Sequence, residues 1–252
     1  MKKVLYGEIL FNIKDSKIYP NIIVYEKPWY RDAAITSMVL RQTNNTDLII
    51  DWINNIDEIY DKNNGEEEPD NLGELLYLLS LQEEENESLI DRIEEEAIRI
   101  AEENPNGYYI YGRTDMSNQY LYQNLWYKFG IEAVGRKFEF DLNAIEEDDY
   151  SKGAWWSNYE PTKTVNEYSN QEYPYLSYAI RHKQKVGKIS FSKELYPLSW
   201  ETNGKYANYE AYALFDQSMK ELTTSPLHTW SASELLLLIM DETNDLDYDK
   251  LS

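Results

Sequence analysis

Two segments constrain this 252-residue chain more than any other feature: Leu72 to Leu81 and Leu235 to Met240 are apolar almost all the way round. A helix with that pattern must be covered on every side. The segment Ser88 to Glu103 is instead strongly amphipathic, as expected of an outer helix. Inner apolar helices wrapped by outer amphipathic ones describe a mainly α fold of α-hairpin toroid type. A plain up-down bundle would need fewer all-apolar helices. No repeat of fixed period is evident, which argues against a regular solenoid. The length suits a single domain spanning residues 1–252.

Other elements follow from local signals. Val4 to Phe11 and Ile18 to Tyr25 are β-rich and flank the turn-like Asn12 to Lys17, so residues 1–25 read as a β-hairpin extension. Helices are expected over Pro28 to Gln42, with Pro28 as first helical residue, over Asp47 to Ile56, and over Asn71 to Leu81, where Asn71 and Glu74 suit a capping box. Asn118 to Val134, Tyr173 to Lys185, Tyr206 to Met219 and Thr229 to Thr243 complete the helical set. Tyr108 to Gly112 and Phe138 to Leu142 read as extended, and residues 145–171 as a long irregular loop.

Composition excludes several chemistries. There is no cysteine, so disulfides, thiolate metal sites and a Cys nucleophile are ruled out. With two histidines, a His-rich zinc site is not expected, and no metal or other cofactor is. The net charge of −22 opposes nucleic acid and anionic membranes as partners. Much of it lies between Asp57 and Glu103, where 18 acids face three bases. Solvated loop, corner and helix face are the simplest reading of Glu66 to Glu68, Glu83 to Glu85 and Glu94 to Glu96. A protein partner docking on this 57–103 face is the functional alternative. No apolar run approaches membrane-spanning length. No targeting segment is visible, so a cytoplasmic location is expected.

Phosphate-loop, dinucleotide, zincin and nucleophile-elbow motifs are absent. Carboxylates beside aromatics remain. In Glu26 to Ala34, the residues Trp29, Asp32 and Thr36 share a helical stripe, a placement that suits stacking on a pyranose with an acid holding its hydroxyls. Local pairing of Arg31 with Asp32 is the bland alternative. Asp70 in Glu68 to Glu74 stands at a helix start, where capping explains it equally well. Trp200 and Glu201 form a further Trp-acid pair. His228 and Trp230 open the second apolar helix, with Ser231 and Glu234 as a capping box. Asp115 and Trp126 are weaker additions, as is the Trp155-Trp156 pair.

Pro28 to Ala34, Glu68 to Glu74 and His228 to Trp230 resemble the recurring motifs of bacterial six-hairpin, or (α/α)6-toroid, glycosidase-like proteins. The resemblance runs in separated blocks from Glu26 to Glu242. It implies an (α/α)6-like toroid with a carbohydrate site at its mouth, lined by aromatics and carboxylates. About eight helices are readable, so either the ring is incomplete or further helices lie in the irregular segments. The implied chemistry is glycoside hydrolysis by paired carboxylates, with Asp32 as one and Asp70 or Glu201 as the other. Trp29, Trp200 and Trp230 would stack on the sugar, Arg31 and His228 would hold polar groups, and Asp115 and Trp126 are further candidates for substrate binding. A non-catalytic carbohydrate-binding module of the same fold, or an acidic interaction module docking a basic partner, are the alternatives.

Overall fold

The computed structural model describes residues 2–22, 25–63, 65–102, 107–114, 120–141 and 229–251. Among these the fold is mainly helical, with one short antiparallel hairpin. The helices are α1 (Lys2–Phe11), α2 (Tyr30–Gln42), α3 (Ile50–Ile53), α4 (Asp70–Leu79), α5 (Glu87–Glu102), α6 (Tyr120–Ala133) and α7 (Thr229–Glu242). The hairpin pairs β1 (Ile13–Lys14) with β2 (Lys17–Ile18), Ile13 opposite Ile18. None of these helices is long and apolar enough to cross a membrane.

The apolar run predicted to be an inner helix is one: every residue of α4 is buried. A second buried helix is α2, enclosed from Tyr30 to Leu40. Its sequence conceals this, because Arg31, Asp32, Thr36 and Ser37 break the hydropathy pattern. Each of those side chains finds a place inside. Thr36 and Ser233 of α7 share a hydroxyl hydrogen bond of 2.9 Å, and Ser37 donates to the Ala34 carbonyl at 2.8 Å. Amphipathic α5 lies outside, burying Leu89, Ile90, Ile93, Ala97 and Ala101 at helical spacing.

The contacts fix helix direction. Near their starts, Arg31 of α2 reaches Asp70 of α4, and near their ends Arg41 lies beside Tyr77. These two helices therefore run parallel. So do α2 and α7, which meet at Thr36–Ser233 and again where Gln42 pairs with the Asp247 backbone at 2.7 and 2.9 Å. Helix α1 runs against α7, since Lys2 at its start binds Thr243 and Asp245 just past the end of α7. Helix α6 crosses α4 at contact distance, glycine against backbone. A Cβ on Gly73 would stand 2.1 Å from the Trp126 carbonyl carbon, and one on Gly130 would stand 2.2 Å from the Gly73 oxygen.

Several expectations are corrected. Val4 to Phe11 is helical, because Leu5 and Ile9 fall on one helical face and bury against the core. The hairpin is confined to Ile13–Ile18. Helix α2 starts at Tyr30 with Trp29 as N-cap, so Pro28 is not its first residue. The Asp47 to Ile56 helix reduces to a 3₁₀ turn at Thr46–Leu48 and the single turn of α3. Tyr108 to Gly112 and residues 138–141 are loop. Asn71 is no cap, because α4 already begins at Asp70. The hairpins do not close into a ring among the described residues. The expectations for 145–171, Tyr173 to Lys185 and Tyr206 to Met219 fall outside those residues.

Candidate functional site

The starts of α2 and α4 hold a buried charged cluster. Arg31 sits in the first turn of α2 and reaches toward α4. Its Nε donates to Asp70 Oδ2 at 2.8 Å, and its Nη2 lies 2.7 Å from the same oxygen and 3.1 Å from Glu68 Oε2. Glu74 Oε1, one helical turn along, is 3.8 Å from Nε. One guanidinium thus faces three buried carboxyls. The contacts of Arg31 with Asp70 and Glu68 span more than thirty-five residues of sequence.

Three carboxylates around one cation is a surplus of negative charge in a dry place, and protonation resolves it. Burial, then the charge of Asp70, pushes Glu74 well above the usual carboxylate range, and Arg31 offsets this only in part. Asn71 Nδ2 donates to Glu74 Oε2 at 3.1 Å, and Glu74 lies within hydrogen-bonding reach of Asp70. Asp70 Oδ1 takes no hydrogen bond from the other described groups. A protonated Glu74 supplies the donor that this oxygen lacks.

Asp61 ties the cluster to the loop before α4. Its Oδ2 accepts the Tyr30 N–H at 2.8 Å, capping α2 from thirty residues away, and its Oδ1 accepts the Asn63 N–H at 3.1 Å. Its own N–H donates to Asn71 Oδ1 at 3.1 Å, and Asn63 Nδ2 donates to the Pro28 carbonyl at 2.5 Å. Burial raises the Asp61 pKa, although both N–H donors pull it down.

Aromatic side chains stand around these helix starts. Trp29, half-buried, meets Tyr25 edge-on at 5.8 Å. The 107–114 segment is pinned by Asn124 and Gln123, which bond both backbone groups of Ile110 at 2.8–2.9 Å. Gly112, at φ 140°, passes so close to the Pro69 ring that a Cβ would stand 2.5 Å from Cγ. This close approach sets Tyr111, 44% exposed, beside the start of α4; Tyr108 on the same segment is 74% exposed.

The sequence-derived residues divide accordingly. Arg31 and Asp70 come together. Asp32 is in the first turn of α2 and 2% exposed, so its helix-start placement regains the macrodipole explanation. Trp126 is core, 6.1 Å edge-on to Phe129 and packed by its backbone under Gly73. Trp230 is also core, at the start of α7, where Thr229 bonds the Pro20 carbonyl through both N–H and hydroxyl. Asp115, Trp200, Glu201 and His228 lie outside the described residues. Sequence reasoning missed the roles of Glu68, Glu74 and Asp61. The available signal was Asp70 and Glu74 at i, i+4 on an otherwise apolar helix. No grouping of His, Asp and Glu among the described residues suits a metal ion.

No protein-family model matches this chain, and neither a curated protein nor a solved structure matches it.

Proposed function

We propose that this chain is a carbohydrate-binding protein of α-hairpin, (α/α)6-like type, taking its ligand where α2 and α4 begin. The observation that carries the reading is the pair of accessible aromatics, Trp29 and Tyr111, beside the Arg31-centred cluster, with Tyr108 on the same segment as Tyr111. Aromatic faces with a few fixed polar groups are what a saccharide site requires. The buried carboxylates act as the frame of that site: they lock the two helix starts and the loop between them. Binding is favoured over turnover because Asp70 and Glu74 are fully enclosed. Calorimetry against a panel of neutral, amino and acidic oligosaccharides tests the reading. Tyr111→Ala should weaken the best ligand, and a panel with no ligand at all would refute the proposal.

Glycoside hydrolysis is the second reading, favoured by one specific observation. Glu74, held well above the usual carboxylate range within hydrogen-bonding reach of the Asp70 carboxyl, is the kind of paired-carboxyl arrangement such chemistry employs. It expects new reducing ends from the same panel, abolished by Asp70→Asn. Binding without turnover in the wild type would leave the binding reading and remove this one.

A further inference from the structure

A pocket of about 570 Å³ opens on the other side of Tyr30, between the β1–β2 turn and α3 with the loop that follows. That volume is in the range of small-ligand sites, roughly 300–1,000 Å³. Two rings meet in its wall, Tyr30 and Trp52, at 6.4 Å and 42°. The Tyr30 hydroxyl is used up on the Glu58 carbonyl at 2.8 Å, which fixes the Glu58 backbone, and its buried ring backs Trp52. Buried Ile56 contributes further apolar lining.

The polar rim is uneven in charge. Asp51, Asp57 and Glu58 line it on the α3 side, and Lys17 on the hairpin side. Asp57 is engaged by Arg92 at 2.8 Å. Asp51 and Glu58 are exposed, and neither carboxylate is bonded within the described residues. Asp15 and Ser16, which turn the hairpin at this rim, both hold left-handed φ values of 51° and 59°. Aspartate suits the first position of such a turn, whereas Ser16 stands where glycine is usual, so the lip of the pocket holds one residue in a conformation it disfavours.

We infer that this pocket is a second saccharide subsite, and that it takes an amino sugar with a free ammonium group. The inference rests on the carbohydrate reading above. Trp52 supplies a stacking face for the pyranose, with the Tyr30 ring beside it, Asp51 and Glu58 receive the ammonium, and Lys17 donates to a ring hydroxyl. The same rim repels uronic acids. The Trp-beside-carboxylate arrangement that the sequence suggested at Trp29 and Asp32 is thus built at Trp52 and Asp51.

Calorimetry with tri-glucosamine, tri-N-acetylglucosamine and spermidine decides the matter. Tri-glucosamine should bind, and acetylation of its amines should weaken it about tenfold or more. Trp52→Ala should lower its affinity by about tenfold, and the double variant Asp51→Asn, Glu58→Gln should erase the preference for the free amine. The double variant changes exposed residues only and keeps the test valid if Trp52→Ala fails to fold. Equal binding of the acetylated sugar overturns the ammonium assignment, and equal binding of spermidine overturns the sugar. Loss of affinity in Tyr111→Ala but not in either pocket variant removes this pocket and leaves the carbohydrate reading standing. Absence of any oligosaccharide binding defeats both.

Discussion

Arg31 compensates Glu68 and Asp70 where no water can, so its removal leaves buried charge without a counter-ion. Arg31→Met should cost about 3–5 kcal/mol, a fall of roughly 10 °C in melting temperature. Arg31→Lys should recover little of it, since a point charge cannot fork to both carboxylates. Thermal denaturation followed by circular dichroism reads both. Glu74 offers a test of opposite sign. Its folded-state pKa lies above the unfolded value of about 4.3. The stability it contributes is therefore complete below that value and is lost as pH rises toward the folded one. Glu74→Gln removes this loss, so its urea midpoint should gain on the wild type as pH rises above the unfolded carboxyl value of about 4.3. A constant difference would show that Glu74 does not carry the proton. Asp61 slopes the same way and should leave part of the pH dependence in the variant. At this scale the sequence disclosed Arg31 and Asp70, because both sat in a dense local motif. It concealed Glu68 in an acidic run and Glu74 in an apparent capping box. Both have partners some forty residues away, and nothing local distinguishes a buried partner from a solvated one.

Among the elements, α4 and α6 are joined at the backbone rather than through side chains. Alanine at Gly73 or Gly130 gains helix propensity of up to about 1 kcal/mol but meets atoms at 2.1 and 2.2 Å that belong to main chain. Each substitution should destabilise by about 3 kcal/mol or more, because the helices must separate. Gly7 is the internal control. It lies in α1 with open space around it, and Gly7→Ala should stabilise by about 0.5–1 kcal/mol. If all three glycines respond alike, the crossing is wrongly described. Helix existence was legible where an apolar run marked it, as in α4 and α7, or a clear amphipathic period did, as in α5. It failed for α1, where aromatic and β-branched residues imitate a strand although Leu5 and Ile9 meet the core one turn apart. It also missed the burial of α2, whose Arg31 and Thr36 find their partners on α4 and α7.

Across the molecule, acids outnumber bases 46 to 24. Part of the acidic stretch is neutralised at home: Arg136 gathers Glu87, Asp91 and Glu94, and Arg99 with Tyr60 holds Glu96. The remainder repels itself. Melting temperature should rise as sodium chloride goes from about 10 mM to about 300 mM, because screening relieves a long-range repulsion. A fall would mean that the local pairs outweigh it.

Helix α7 rests against α1 and α2, and Thr229 hangs on the carbonyl of Pro20. A ribosome adding roughly 5–20 residues per second reaches α7 some ten to forty-five seconds after α1 has been made. During that interval the apolar side of α1, with Leu5 and Ile9, has no α7 to lie on. Nascent chains stalled before residue 229 should therefore be the form of this protein that chaperones hold and proteases cut, and its folding yield in cells is set by what shelters the first helix while the last is still being translated.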